Sequence, residues 1–293
     1  MITYRSVVAA DWSEIIDLTN QIFKEKIPME KSFPLLFDLS NTFSYVALDR
    51  DKIIGFIGVL PEELKSYGQT YYGSRIGAVC IANDYQGRGI GRSLFRLMKK
   101  EASNDFILIS GQGKLYVQEG GEFFGEFKEF VIPAKEGPLK ITEYKDKLNQ
   151  LISIHQLLEG KENYFVKSLS QLQKLIKAHS LANLWQGQQK IYLVYQAEEI
   201  QGVLITCTRV WHNQKLTEVL EYGGIEELLV LALQQVALET PNLTIRLPKE
   251  NQLAQLLKKI TVGNIVQNSG TCLFLNNDIR AIEIPHTWDL AFL

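Results

Sequence analysis

Gly87, Gly89 and Gly91 alternate with Arg88 and Ile90 and are followed at once by Arg92. Glycine reaches backbone angles that other residues avoid, and it lets main-chain amides approach a ligand with no Cβ in the way. An apolar run, Ile76 to Ile81, enters this stretch and an amphipathic run, Arg92 to Ala102, leaves it, which reads as strand, glycine loop, helix. The first N–H groups of such a helix and its dipole, equivalent to roughly half a positive charge, favour an anion. Arg88 and Arg92 add charge-assisted donors suited to phosphate. A turn capping an ordinary helix would account for one glycine, but not for three alternating ones flanked by arginines. The chemistry indicated is the holding of a phosphate-bearing ligand.

Spacing narrows the ligand. A dinucleotide loop reads G-x-G-x-x-G, and here the third glycine comes one residue early; the triphosphate loop needs Gly-Lys-Ser/Thr, which is absent. Gln86-Gly87-Arg88-Gly89-Ile90-Gly91 instead resembles the Q/R-x-x-G-x-G/A motif of the GNAT family of acyl-CoA-dependent N-acetyltransferases. That resemblance implies acetyl-CoA as cosubstrate, no metal, and direct transfer of acetyl to a primary amine of a small molecule or peptide. It assigns cofactor contacts to Gln86, Gly87, Arg88, Gly89, Ile90, Gly91, Arg92 and Ser93. It also implies that the strand Tyr71 to Ala82 splays from its neighbour. The backbone of Val79, Cys80 and Ile81 would then hold the acyl carbonyl and pantetheine arm, with their side chains in the sheet core.

Leu115-Tyr116 followed by Gly120 resembles the family's L/F-Y-x-x-x-G, in which the tyrosine hydroxyl sits near the CoA sulfur. Tyr116 is therefore the candidate general acid for the leaving thiolate, a role that contributes about 10²- to 10⁴-fold in rate. Two departures stand beside it. Ser110-Gly111-Gln112-Gly113 replaces the Asn that many members carry before the tyrosine, leaving Gln112 as the substitute. Arg75-Ile76-Gly77-Ala78 carries no carboxylate where many members place a general base, so the base must be Glu62, Glu63, Glu119 or Glu122, or a chain of water. Cys80, in an apolar run with no His near it in sequence, reads as a small buried hydrophobe and not as a nucleophile. The missing strand carboxylate supports an alternative: an acyl-CoA-binding sensor or scaffold without transfer activity.

The elements that must position these residues can be read on either side of them. Ile2 to Arg5 and an apolar-periodic helix over Asp11 to Lys24 (Ile15, Ile16, Leu18, Ile22, Phe23) resemble the family's opening strand and helix. Phe43 to Leu48, a polar turn at 49–52 and Ile53 to Leu60 predict a hairpin. Phe106 to Ile109 is the strand after the cradle helix. Pro133 to Lys147, with Gly137, Pro138 and several lysines, reads as an inter-domain connection. Beyond it a helix carries Leu148, Leu151, His155 and Leu158, with Tyr144 on the same face, and Ser170 is placed to cap a second helix. Tyr192 to Val203 then repeats the spacing of Tyr45 to Phe56, and a strand (Leu216 to Glu221), Gly223-Gly224, a helix (Ile225 to Leu238) and a strand (Leu243 to Leu247) follow in the same order. A helix over Gln252 to Lys259 and a strand over Thr271 to Leu275 close the chain.

The expected fold class is α/β (α+β): two GNAT-like domains in tandem, 1–136 and 137–293, each a mixed, mostly antiparallel sheet flanked by helices. The second has no Q/R-x-x-G-x-G, and its helix opens on Glu226-Glu227, carboxylates that would themselves occupy the positive end of the dipole and repel a pyrophosphate. It is therefore expected to wall the substrate cleft of the first domain or to form a homodimer surface, with Trp185, Trp211 and Trp288 as candidate contacts. A chain of 293 residues accommodates two such domains. Three widely spaced cysteines and four histidines without ligand spacing argue against a disulfide framework or a zinc site. A net charge of -2 with mixed signs offers no basic face to nucleic acid. No leader and no membrane span is read, and a cytoplasmic enzyme is expected.

Overall fold

The computed structural model describes residues 1–248, 251–286 and 289–291. Its first half runs β1 (Ile2–Ser6), α1 (Trp12–Phe23), α2 (Met29–Ser32), β2 (Tyr45–Asp49), β3 (Lys52–Ser66), β4 (Gln69–Ile81), α3 (Ile90–Glu101), β5 (Phe106–Ile109), α4 (Lys114–Gln118) and β6 (Glu122–Val131). The second continues with β7 (Lys140–Glu143), α5 (Leu148–Glu159), β8 (Asn163–Phe165), α6 (Leu169–Ala178), α7 (Ser180–Trp185), β9 (Gln188–Gln196), β10 (Glu199–Trp211) and β11 (Gln214–Gly224). It ends in α8 (Glu226–Val236), β12 (Leu243–Pro248), α9 (Gln252–Leu257) and β13 (Gly263–Phe274).

One sheet carries both halves, in the order β1-β2-β3-β4-β5-β13-β6-β12-β11-β10-β9-β7, with β8 added to β3. Read inward from either edge, the order is the same: an opening strand, an antiparallel hairpin extended by a third strand, and a parallel strand reached through a helix. The last strand of each half has crossed over. β13 pairs with β5, and β6 pairs with β12. Helix packing repeats as well, for a Cβ on Gly55 would meet Leu94 of α3 at 3.2 Å and one on Gly202 would meet Leu229 of α8 at 3.3 Å. The twin glycines let each helix sit close on its hairpin.

Local chemistry sets the ends of the elements. Asp11 forms an ion pair with Arg5 at 2.6 Å and accepts from the Val8 amide, fixing the entry to α1. Trp12, Ile15 and Leu18 then turn inward, where Trp12 packs edge-on against Phe37 and Phe56. Lys24, with a φ of 54°, ends the helix. α3 buries Ile90, Leu94, Phe95 and Met98 and carries Lys99 and Lys100 at its negative end. The main core joins Trp12, Phe37 and Phe56 to Leu151, Ile154, Leu172 and Ile205 in one cluster, so the halves share an interior.

Two sequence expectations are corrected. The stretch read as a connection contains β7, which pairs antiparallel with β9; its alternating Lys140-Ile141-Thr142-Glu143 is a short edge strand whose end charges discourage further pairing. The cap of α6 is Ser168 and not Ser170: its hydroxyl accepts from the Gln171 amide at 3.2 Å while Gln171 accepts from the Ser168 amide, a reciprocal capping box.

A buried ion cluster ties the halves together. Arg75 of β4 pairs with Glu62 of β3 at 2.8 Å and with Asp289 at 2.7 Å, Lys167 pairs with the other oxygen of Glu62, and the Arg75 guanidinium lies 4.4 Å from the centre of the Phe165 ring. Removing one partner from a buried cluster leaves charge uncompensated, at a cost of about 3–5 kcal/mol. Arg75→Met is expected to lose stability on that scale in urea unfolding. A loss below about 1 kcal/mol, the range of surface pairs, would show that the cluster holds little.

Candidate active site

β4 and β5 pair in parallel only from Gly73 to Ile76 and from Phe106 to Ile109. β5 stops there while β4 runs on to Ile81, so the main chain of residues 77–81 faces a gap on that side. On the other side β3 stays paired through a bulge: Phe56 opposes Cys80, Gly58 opposes Gly77, and Ala78 takes a φ of 49°. A residue with a side chain in the left-handed region costs of order 1–3 kcal/mol and persists where its surroundings over-determine it. Gly58 is part of that surrounding, since a Cβ there would meet the Gly77 carbonyl at 2.8 Å. Val79 and Ile81 are half-buried beside the gap, whereas Cys80 is buried and its thiol is pushed up to about 12 by burial, keeping it protonated.

The glycine loop follows directly. Gly87 and Gly89 take φ of 75° and 78°, and Gly89 caps α3 with no side chain on its first amides. Gly91 is different: its φ is ordinary, and a Cβ there would meet only Ile81 at 3.9 Å. Nothing within the protein requires glycine at 91, and the space above it is open. The first turn of α3 has no acidic residue. Gln86 donates to the Ile81 carbonyl at 3.1 Å and ties the loop to β4, and Ser93 is exposed on the first turn. The arginines are already engaged. Arg88 donates to the Asp84 carbonyl at 2.7 Å above the Tyr85 ring, and Arg92 reaches Gln118 at 2.5 Å and Glu119 at 3.3 Å.

Tyr116 lies on α4 against Phe95 of α3, ring centres 5.5 Å apart. Burial raises its pKa, and its hydroxyl makes no hydrogen bond with the described residues. It lines a cavity of about 280 Å³ together with Gly77, Ala78 and Val79 of the bulge, Met29, Phe33 and Leu36 after α1, and Leu184 of α7. α7 is held there by Ser180 and Asn183, which donate to the Ser32 carbonyl at 2.6 Å and hydroxyl at 3.0 Å. Gly120, with a φ of 98°, ends α4, so the glycine of the L-Y-x-x-x-G pattern serves as a helix stop. Gln112 is exposed and makes no hydrogen bond with the described residues.

The four glutamates weighed as bases are all paired elsewhere. Glu62 is in the buried cluster, Glu63 is 3.3 Å from Lys65, Glu119 is 2.9 Å from Arg96, and Glu122 is 2.7 Å from Arg280. None lines the cavity beside Tyr116. One carboxylate that does is Glu25, which the sequence reading passed over.

This geometry can now be set beside known proteins. The sequence profile described as Acetyltransferase (GNAT) domain matches residues 40–120, which span β2 to the end of α4 and hold the cradle and Tyr116. Residues 40–120 are a GNAT domain. No curated protein sequence matches the chain. Among solved structures, a GCN5-related N-acetyltransferase from Anabaena variabilis superposes with a TM-score of 0.70 at 16% identity, covering 94% of this chain and 73% of that one. A probable N-acyltransferase from Enterococcus faecalis gives 0.67 at 16% identity over 93% and 72%. N-myristoyltransferase from Saccharomyces cerevisiae, solved with bound myristoyl-CoA, gives 0.53 at 9% identity over 92% and 77%. At these identities the likeness is one of fold, and it extends over both halves of the chain. The match over residues 40–120 supports acyl transfer in general, and no helix among the described residues is long and apolar enough to cross a membrane.

The cradle is open to a direct test. Gly91→Asp meets no clash, so its stability should stay within about 0.5 kcal/mol of wild type, as for ordinary surface changes. Its carboxylate would stand in the anion position, and acetyl-CoA binding by calorimetry should be lost. Undiminished binding would show that this loop does not hold the cofactor.

Proposed function

We propose that the chain is an N-acetyltransferase that moves acetyl from acetyl-CoA to a primary amine without a covalent enzyme intermediate. One observation carries the reading: a single cavity joins the bulged main chain of β4 to a tyrosine hydroxyl free of other partners, at the end of a strand that leads into an anion cradle. Pyrophosphate would rest on the amides of Gly87 to Gly91, and pantetheine would add along Val79 to Ile81 as a partial strand in place of β5. The acetyl carbonyl would lie against the main chain of the bulge, whose dipoles stabilise the oxyanion.

The amine nitrogen attacks the carbonyl carbon, the C–N bond forms, and the C–S bond breaks with its electron pair leaving on sulfur. Tyr116 gives its hydroxyl proton to that sulfur and regains one from water, while the nitrogen's surplus proton leaves to water as the amide forms. Cys80 takes no part, because its thiol is buried and protonated.

The second half, in this reading, is a GNAT-like repeat that has lost its cofactor site, with residues 1–136 as the catalytic domain and 137–293 as the repeat. Residues 82–89 separate β4 from α3, whereas Ile225 alone separates β11 from α8. Gly223 and Gly224 are packed tight, since a Cβ would meet the Leu157 carbonyl at 2.4 Å or the Gln201 carbonyl at 2.2 Å. There is no loop to cradle a phosphate, and Glu226 and Glu227 fill the first turn of the helix. The repeat walls the acceptor side through Leu184. Trp185 is taken up by Arg209, 3.9 Å above its ring, while Trp211 is exposed and available to a second copy; Trp288 lies outside the described residues. Three buried free cysteines suit a reducing, cytoplasmic setting.

Tyr116→Phe should slow turnover by about 10²- to 10⁴-fold and leave acetyl-CoA affinity unchanged. Because burial raises the Tyr116 pKa, its acid form persists to higher pH than a free phenol's. The wild-type rate should therefore show no decline from loss of this proton below about pH 10. An unchanged rate in the variant would remove Tyr116 from the mechanism.

A further inference from the structure

The cavity beside Tyr116 is walled by Phe23, Met29, Phe33 and Leu36 on one side, Leu184 on another, and Ile76 and Ile109 at the parting of the strands. Glu25 stands out against that lining. It follows Lys24, whose left-handed backbone ends α1 and turns the chain toward the cavity. Glu25 makes no hydrogen bond or ion pair with any described residue, unlike Glu62, Glu63, Glu119 and Glu122. Phe23 and Glu25 are also exposed, so this end of the cavity is its mouth to solvent.

Resting on the acetyltransferase reading above, we propose that Glu25 receives the amine of the acceptor and takes its proton, and that the acceptor is a small monoamine with an apolar body. The lining supports the apolar body: aromatic and aliphatic walls gain from burying hydrocarbon and would strip a polyamine or a sugar of water without repaying its polar groups. Size argues the same way. About 280 Å³ lies just below the roughly 300–1,000 Å³ of drug-sized sites, which admits an arylalkyl or branched alkyl amine. A carboxylate is out of place along a path for a fatty acyl chain, but it matches an ammonium entering from water.

As the amine nitrogen moves from the mouth toward the thioester it leaves water for apolar walls, where the neutral amine is favoured over the ammonium. One proton passes from the ammonium nitrogen to a Glu25 oxygen, leaving a neutral amine and a carboxylic acid. The freed lone pair attacks the thioester, and Glu25 later returns its proton to water at the mouth. The nitrogen's remaining surplus proton leaves through water as the amide forms.

The test uses the full chain with acetyl-CoA and three acceptors: 2-phenylethylamine, spermidine and a lysine-containing tripeptide. The expected result is that kcat/KM for 2-phenylethylamine exceeds that of the other two by at least about 10-fold, a preference on the scale of one or two buried methylene groups. Glu25→Gln should lower it by about 10²-fold or more at pH 7. The deficit should shrink as pH rises toward the pKa of the free amine, since the acceptor then arrives neutral. A merely structural role would give a loss independent of pH, and calorimetric acetyl-CoA affinity should be the same in both proteins. Preference for spermidine or the peptide, or a pH-independent loss in Glu25→Gln, would overturn the proposal while leaving the acetyltransferase reading in place. Failure of the wild-type chain to bind acetyl-CoA would overturn that reading itself. Binding with transfer to none of the three acceptors would overturn the acceptor proposal and leave only the cofactor site.

Discussion

β4 outlasts β5, and the rest of the site is a consequence of that mismatch in length. A strand with a partner on both sides has no main-chain groups to spare. By running from Gly77 to Ile81 beyond the last residue of β5, β4 keeps its pairing with β3 and leaves the opposite edge unpaired. The bulge at Ala78 lies inside this unpaired stretch, where an extra residue re-aims the chain without breaking the β3 ladder. The cavity opens at the parting of the two strands, and the cradle begins where β4 ends.

The second half shows what happens when the same parting is built without the loop. β11 and β12 pair in parallel only over Thr217–Val219 and Leu243–Ile245 and then diverge. Their cleft, about 230 Å³, is lined by polar groups such as Tyr222, Glu226, Arg246 and Asn251 and by the ion pair of Lys161 with Glu221. Diverging strands are therefore common to both halves, while the open glycine loop between strand and helix belongs to the first. The exchanged strands β6 and β13 make the two clefts parts of one sheet. Each half thus completes its sheet only with a strand from the other.

Much of this was legible in the sequence because the relevant signals are local. The hairpins, β5 with its bounds, α3 and the repeated order all follow from periodicity and turn residues, and the loop before α3 follows from glycines, two of which take positive φ. Gly91 illustrates the limit: its spacing marked it, but only the open space around it separates a ligand requirement from a packing one. β7 was hidden among Pro133, Gly137 and Pro138, since a four-residue edge strand leaves little periodicity to read. The carboxylates were the least legible. Glu62, Glu119 and Glu122 are near the site in sequence, yet their partners Arg75, Arg96 and Arg280 come from other elements, and no spacing announces those pairings. Glu25 follows α1 in a loop with no motif, and only the fold brings it to the cavity that Gly77, Ala78 and Val79 also line.

The ion cluster at Arg75 explains how so exposed a strand stays in place. Arg75 immediately precedes the residues where β4 leaves β5, and it is held by Glu62 from β3 and by Asp289 from the far end of the chain. With Lys167, two cations face two carboxylates, so the charges within the cluster balance. A greasy residue at 75 could pack as well, but it would not fix direction; the fork of a guanidinium between two carboxylates specifies both the register of β4 and the seat of the second half against it. An unpaired main chain must be held still from elsewhere, and here the charge cluster at Arg75 sits two residues upstream of the first residue unpaired with β5, Gly77.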